Sequence, residues 1–455
     1  MKIEMNKTAE AILRILNTNG FEAYVVGGCV RDSILGLTPT DWDITTSARP
    51  DQVKALFART IDTGIAHGTL TVMIGKEGCE VTTYRIGKVN GGENEPDITY
   101  ADSLKEDLLH RDFTINAMAY HPEEGLVDLA GGLSDLEEGI IRCVGNPDER
   151  FAEDPLRMLR AVRFAGQFGF AIEDQTLEAI RKRADTLANV SVERIRMELL
   201  KLLISDHPDT LRIAYETGLT AVFLPEFDRM METEQNNPHH RYTVGEHTIR
   251  SICLIDPNPV LRLTMLFHDI GKPSTRTTDE MGIDHFRGHY KVSAEMAESI
   301  MKRLRFDNNT IRLVRTLILY HDTRFQDALT SGRRNLRRVI SLVSPTLFPY
   351  LVDVMRADVL AQSDYMREHK LKQLGEAAAA YREIMDAGDC LSLKELKING
   401  NDLKAIGITD GRTIGSILNI LLQMVLENPE LNNYMYLEEL AMKIYKELLK
   451  ACPKQ

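Results

Sequence analysis

The chain has 455 residues, 43% of them hydrophobic and 27% charged, a balance that excludes a disordered or membrane-embedded protein and a length that excludes one ordinary core. No apolar run approaches the roughly 18 residues needed to span a bilayer, and six scattered cysteines with no CxxC pair exclude a disulfide framework or zinc knuckle and fit a reducing cytoplasm. The net charge of −12 excludes a broadly basic nucleic-acid binder, so an RNA partner requires positive charge concentrated in a local stripe.

Residues 1 to about 145 read as α/β. The start has no signal-peptide plan; Ala11, Ile12, Ile15 and Leu16 recur at helical spacing among mixed charges. A short apolar strand, Tyr24 to Val26, runs into Gly27-Gly28 and a helix-like stretch to Leu35. Thr69 to Ile74 and Glu80 to Tyr84 are β-branched and bounded by glycine, and read as strands. The polar stretch Gly87 to Asp97 reads as a mobile loop.

From about residue 150 the pattern is helical. Glu153 to Phe164 reads as one helix and Val192 to Ile204 as another. The polar run QNNPHH at 235–240 marks a boundary. A second helical block covers about 243–368, and the chain from Leu371 onward forms a last helical segment.

Three constellations carry chemistry. In the first, a glycine turn between strand and helix lets backbone N–H groups approach a phosphate. Asp41 and Asp43 follow, two residues apart, and on an extended segment they share a face. Two such carboxylates repel unless a cation lies between them, which suits Mg²⁺. Glu80, opening a later strand, is a candidate third carboxylate. The combination of GG, Arg31-Asp32 and DxD resembles the polymerase-β-like nucleotidyltransferases.

The second constellation is EDPLRMLRAVRF, in which Asp154, Arg157, Arg160 and Arg163 recur every three residues along one side of the expected helix. Asp154 and Arg157, one turn apart, form a donor–acceptor pair able to read a base edge. C and A both carry an exocyclic amine that a carboxylate can accept from. Such a pair admits those two bases and rejects U and G without a template. Arg160 and Arg163 would face the triphosphate or the tRNA backbone.

YVVGGCVRDSILGLTPTDWDI, HRDFTINAMAY at 110–120, DLAGG at 128–132, EDPLRMLRAVRF and VERIRMELLKLL at 192–203 occur in the order found in class II tRNA nucleotidyltransferases, which the chain resembles. ELKINGNDLKAIGI at 395–408, with Gly411 and Gly415, resembles that family's C-terminal region. The resemblance implies that Gly28, Arg31 and Arg111 contact the nucleotide, that Asp41 and Asp43 bind Mg²⁺, that Asp154 and Arg157 read the base, and that Arg160 and Arg163 complete the site. Asn116 in the same motif reads as structural. Two departures stand out: His110 occupies a place where the family usually has arginine, and the loop GKVNGGENEPD, which in that family helps the switch from C to A, is unusually acidic.

The third constellation lies in the second half. His247, His268-Asp269 at a helix end before Gly-Lys-Pro, and Asp358 resemble the His…His-Asp…Asp pattern of the HD phosphohydrolases. His289 and His321 fit its two-metal version, and Lys272 is placed to contact phosphate. Histidines and carboxylates on facing helices are how bundles build metal sites.

The expected architecture is an α/β nucleotidyltransferase head with a small mixed sheet at 1–145, a helical neck and body at 146–235, an HD domain at 236–370 and a helical tail at 371–455. The expected activity is template-independent CCA addition to tRNA from CTP and ATP with Mg²⁺, beside an HD phosphohydrolase using a second divalent metal, in the cytoplasm and without a membrane partner. The alternatives are a poly(A) polymerase, an enzyme adding only C or only A, and, from a different class, an HD hydrolase with a non-catalytic RNA-binding head.

Overall fold

The computed structural model describes residues 2–65, 68–87, 98–325 and 333–451. The expected loop at Gly87–Asp97 lies, beyond Gly87, outside the described residues. The chain divides into two compact units, Met1–Asp228 and Arg229–Gln455.

The first unit opens with helix α1 (Lys7–Thr18), whose Asn6 cap accepts from the Ala9 N–H at 2.7 Å. The strands are β1 (Ala23–Val26), β2 (Asp43–Thr46), β3 (Thr60–Gly64), β4 (Thr69–Ile74), β5 (Glu77–Thr83), β6 (Arg85–Gly87), β7 (Ile98–Tyr100), β8 (Met118–His121) and β9 (Gly125–Asp128). Seven of them form one sheet in the order β3-β4-β5-β2-β1-β8-β9, and β6 pairs with β7 apart from it. Every neighbouring pair in the large sheet is antiparallel except β2 and β5. That one parallel pair makes the sheet mixed, as the sequence reading expects.

Helix α2 (Gly28–Ile34) leaves β1 through Gly27, whose φ of 79° is a conformation that L side chains rarely adopt. Val25, Ile44 and Val81 on the central strands are fully buried, so the sheet centre is fixed where the site residues emerge. Beyond the sheet come α3 (Pro50–Leu56), α4 (Leu104–Leu109), α5 (Gly132–Glu138), α6 (Pro147–Glu153), α7 (Leu156–Phe168), α8 (Asp174–Arg183) and α9 (Val192–Leu203). The expected single helix from Glu153 is in fact two. Pro155 has no N–H to continue α6, and Asp154 before it takes an extended backbone with φ −143° and ψ 100°.

The second unit is helical, with a two-stranded hairpin of Thr277–Thr278 and Asp284–His285. Its helices include Val244–Cys253, Pro259–Phe267, His289–Arg303, Asn308–Tyr320, Phe348–Ala361 and Arg367–Asp386, followed by Gly411–Glu427 and Tyr434–Ala451. Leu263, Phe267, Leu317, Leu351 and Val354 are fully buried between them. The sequence pattern starts the last segment at Leu371, whereas its helix starts at Arg367. The QNNPHH run also does not separate the units. Gln235 is buried and bonded to Lys272, and the Asn236 N–H donates to Asp284 at 2.8 Å, so this polar segment is tied into the second unit.

Candidate active sites

In the first unit the β2–β5 register places Asp43 opposite Glu80. Asp43 begins β2, while Asp41 sits in the bend before it, so only one of the two is on the extended strand expected to carry both. Burial pushes the Asp43 carboxyl up to about 6, Glu80 and Asp41 push in the same direction, and Arg111 opposes them. Asp41 and Glu80 thus lie near enough to Asp43 to disfavour its charge. Glu80 is exposed and lies in mid-strand, not at the start of a strand as expected. Its exposure removes any cost of burying it, and its position beside Asp43 makes it available to the same cation.

Arg111 reaches this spot over the glycine turn. A Cβ at Gly27 would sit 3.0 Å from its guanidinium, which only a bare backbone permits. Asp107, one turn earlier, holds Arg111 at 3.1 Å. Gly28 begins α2, where a Cβ would lie 3.5 Å from Arg31. Arg31 is buried; it donates to Asp32 and Asn116 and lies 4.7 Å from the Phe168 ring centroid.

The arginine row of α7 is neutralised by carboxylates from elsewhere in the chain. Arg160 donates to Asp112 at 2.9 Å, and Arg163 is buried and donates to Glu198 of α9 at 2.9 Å. The Arg160 guanidinium beside Asp112 holds that carboxyl well below the usual range despite its burial. Arg163 also lies 3.4 Å from the Phe164 ring centroid. Arg163 ties α7 to α9 in the interior, where the sequence reading expects it to face a triphosphate or RNA. Arg160 is likewise engaged within the fold, though its side chain is 31% exposed.

Asp154 and Arg157 do not bond each other through their side chains. Asp154 accepts from Arg194 of α9 at 2.7 Å. Arg157 donates to Glu153 at 3.0 Å and to the His110 carbonyl at 3.0 Å. The reason is the break at Pro155, which puts Asp154 off the helix that carries Arg157. Both side chains are nonetheless fixed, and the His110 contact joins Arg157 to the HRDFTINA segment that supplies Arg111. Asp107, Asp112, Arg194 and Glu198 escape a reading of the sequence alone. Asp112 sits inside the HRDFTINA motif and Arg194 and Glu198 inside VERIRMELLKLL, so the signal is the motif itself.

The second unit gathers all six residues read from its sequence. His247, His268 and Asp358 form one group and Asp269, His289 and His321 another, with the ligand atoms of each within 4.8 Å of one another. His247 Nε2 lies 2.9 Å from Asp358 and 3.4 Å from His268 Nε2. His289 Nε2 lies 3.4 Å from Asp269 and 3.3 Å from His321 Nε2. Asp269 is shared, one oxygen 3.2 Å from His268 and the other facing His289 and His321.

The outer ring nitrogens explain the orientation. Nδ1 of His268, His289 and His321 lies 2.7, 2.9 and 2.7 Å from the carbonyls of Met265, Phe286 and Ile318. Donation there leaves each Nε2 lone pair pointing inward, the arrangement that metal ligands need. Burial disfavours charge on His268, but Asp269 and Asp358 reverse this and raise it. Burial and the neighbouring His268 and His289 lower His321 to about 3. His321 is thereby held neutral and offers a lone pair to the group. Lys272 is buried and pairs with Asp269 at 2.7 Å. A cavity of about 760 Å³ opens over these residues.

Comparison with known proteins places both units. Residues 23–142 match the poly A polymerase head domain, residues 169–231 an RNA- and SrmB-binding site of polymerase A, and residues 276–441 the tRNA nucleotidyltransferase domain 2. A CCA-adding enzyme of Lactobacillus helveticus is 34% identical over 442 residues, 95% of this chain and 96% of that one. The CCA-adding enzyme of Lactiplantibacillus plantarum is 49% identical over 226 residues, a match that spans about half of each chain (50% and 54%). The crystal structure of the Bacillus stearothermophilus CCA-adding enzyme in complex with CTP matches with a TM-score of 0.70 at 26% identity, over 98% of this chain and 100% of that one.

Proposed function

The chain belongs to the CCA-adding enzyme family of tRNA nucleotidyltransferases, and we propose that it adds C, C and A to the 3′ end of tRNA from CTP and ATP at the carboxylate cluster of its first unit. The observation that carries the assignment of the site is the register of Asp43 with Glu80 across β2 and β5, with Asp41 two residues before Asp43 and Arg111 near enough to oppose their charge. An uncompensated carboxylate group of this kind fits Mg²⁺, held by Asp41 and Asp43 with Glu80 in reach. When bound, the cation offsets charge on the triphosphate and favours loss of the attacking hydroxyl's proton.

The reaction is a displacement at phosphorus. The 3′ hydroxyl oxygen bonds to the α-phosphorus, the bond to the leaving pyrophosphate breaks, and the hydroxyl proton is released. Arg111 and the Gly27-Gly28 turn lie where a triphosphate would be steadied. Asp154 and Arg157 present a carboxylate and a guanidinium to the base, admitting C and A. Arg194 occupies Asp154 and Glu153 holds Arg157, so each keeps its orientation before the nucleotide arrives. The test is incubation of purified protein with tRNA lacking its terminus and each labelled nucleotide. Two C residues followed by one A are expected. Long runs of A would make it a poly(A) polymerase, and C alone or A alone a partial adder.

A second reading rests on the two three-residue groups of the second unit. We propose that this cage holds divalent metal and hydrolyses phosphoesters. His247, His268, Asp269 and Asp358 would hold one ion and Asp269, His289 and His321 a second; when bound, such ions activate water and offset phosphate charge. Asp41→Ala is expected to abolish nucleotide addition and spare hydrolysis. Loss of both activities in a folded variant would contradict two separate sites. A finer division into parts 1–145, 146–235, 236–370 and 371–455 is our proposal. Among the described residues no single helix is long and apolar enough to cross a membrane. We place the enzyme in the cytoplasm, where free buried thiols such as Cys29, Cys79 and Cys143 stay reduced.

A further inference from the structure

The cavity over the metal cage is larger than a phosphate requires. At about 760 Å³ it falls among cavities of roughly 300–1,000 Å³ that take drug-sized ligands. Besides the cage residues it is lined by His239, Arg324, Gln362 and Lys370. Lys370 donates to Gln362 Oε1 at 2.6 Å and lies 3.1 Å from His239 Nδ1. The same Gln362 amide donates through its nitrogen to Asp358 at 3.1 Å. One carboxamide therefore separates the Lys370 ammonium from a cage carboxylate, and its two ends fix the amide's orientation.

Two cations at this end of the cavity lack a contact ion pair among the described residues, with Asp322 and Asp358 as the nearer carboxylates in the lining. Lys272 is matched by Asp269, but neither Lys370 nor Arg324 is ion-paired with a carboxylate among the described residues. Burial lowers the Lys370 ammonium; Asp358 and Asp322 work the other way, and Arg324 and Lys272 add to the lowering. A half-buried cation kept near other cations gains most from an anion arriving in the cavity.

We propose that Lys370 and Arg324 form a second anion subsite, so the phosphoester taken at the cage carries another phosphate about one ribose away. This rests on the hydrolytic reading of the cage and narrows its substrate class. Two sources offer that chemistry: the 3′-phosphorylated end of an RNA strand, whose preceding phosphodiester is the second anion, and a free nucleoside 3′,5′-bisphosphate. In the hydrolysis, water oxygen bonds to phosphorus, the ester P–O bond breaks, and the departing ribose oxygen leaves as a hydroxyl with a proton from the water.

The test uses the full chain loaded with Mn²⁺ and compares three substrates: adenosine 3′-monophosphate, adenosine 3′,5′-bisphosphate and the dinucleotide ApA bearing a 3′-phosphate. The monophosphate is expected to show a KM about tenfold or more above that for the bisphosphate, the scale of one charged hydrogen bond. In Lys370→Ala, and further in Lys370→Ala with Arg324→Ala, this ratio collapses toward one, while Lys370→Arg restores most of it. A ratio near one in the wild type, or a ratio unmoved by Lys370→Ala in a protein that melts normally, overturns the subsite. A lower KM for the dinucleotide than for the bisphosphate assigns the strand end; the reverse order assigns the free nucleotide. If no phosphoester is hydrolysed, the hydrolytic reading fails, and calorimetric binding of the bisphosphate decides the subsite separately. Binding that Lys370→Ala weakens upholds it, and absence of binding overturns it.

Discussion

Asp43 and Glu80 occupy the same rung of the parallel pair β2 and β5, so two carboxylates share one face of the sheet, with Arg111 opposing the charge on Asp43. The Asp43 carboxyl is raised to about 6 by burial first and by Glu80 and Asp41 after it. A raised carboxyl favours folding in its protonated form. Its contribution is fully present below the unfolded value of about 3.9 and is lost as pH rises through about 6. Thermal melts of the metal-free protein are therefore expected to show a fall in stability of roughly 2 kcal/mol from this group across that window. Asp43→Asn flattens the fall and abolishes nucleotide addition, and Mg²⁺ restores stability above pH 6 only in the wild type. An Asn variant with the same pH slope as the wild type would refute the crowding argument.

Asp112 makes the opposite case. Burial alone would raise it, but Arg160 and the Asn116 amide hold it far down. Its stabilisation is present above about pH 4 and lost as acid protonates it. Asp112→Ala removes the closest partner of Arg160, which keeps Glu198 at 3.7 Å and is part-exposed, so a cost of about 1.5–3 kcal/mol is expected at neutral pH. Urea melts of the variant check this. A loss below about 0.5 kcal/mol, the scale of an exposed pair, would show that the tie is a surface one.

Arg157→Ala removes the guanidinium from the base-reading position but leaves Asp154 held by Arg194. Discrimination against UTP and GTP is expected to fall by about tenfold or more, the worth of one good base contact. Single-nucleotide incorporation on tRNA ending in the first C measures it. Unchanged discrimination would remove Arg157 from the selecting pair.

Gly271 follows the His268-Asp269 pair and sits where a Cβ would come within 2.7 Å of the Ser293 nitrogen and 3.0 Å of the His289 carbonyl. Both are backbone atoms that cannot swing aside. Gly271→Ala is expected to push the helix His289–Arg303 away, to cost about 1–3 kcal/mol, and to lower the divalent metal retained after dialysis. Full metal retention would show that the helix tolerates the shift.

The glycine turn, DxD and the His-Asp pair are legible in the sequence because their chemistry is local: a positive φ, two acids and a helix end. The HD residues converge as expected because each lies on or at the end of a strongly periodic helix. What escapes is pairing across the sequence. Nothing near Arg160 or Arg163 announces that Asp112 and Glu198, 48 and 35 residues away, will neutralise them. A row of arginines without local acids reads as a waiting anion site, and tertiary contacts supply the acids instead. The expected helix through Asp154 fails for a local reason, the proline that follows it. That break moves Asp154 from an intrahelical partner to Arg194. At 235–240 polar composition suggests exposure, whereas Gln235 is buried and bonds a buried lysine.

The shared carboxylate of Asp269 has a thermodynamic corollary. A single torsion aims one oxygen at each half of the cage, so whichever half fills first sets the angle the other inherits. Were both halves to fill as proposed, the second ion would bind to a carboxylate already turned by the first, and a divalent-ion titration should depart from two independent hyperbolas.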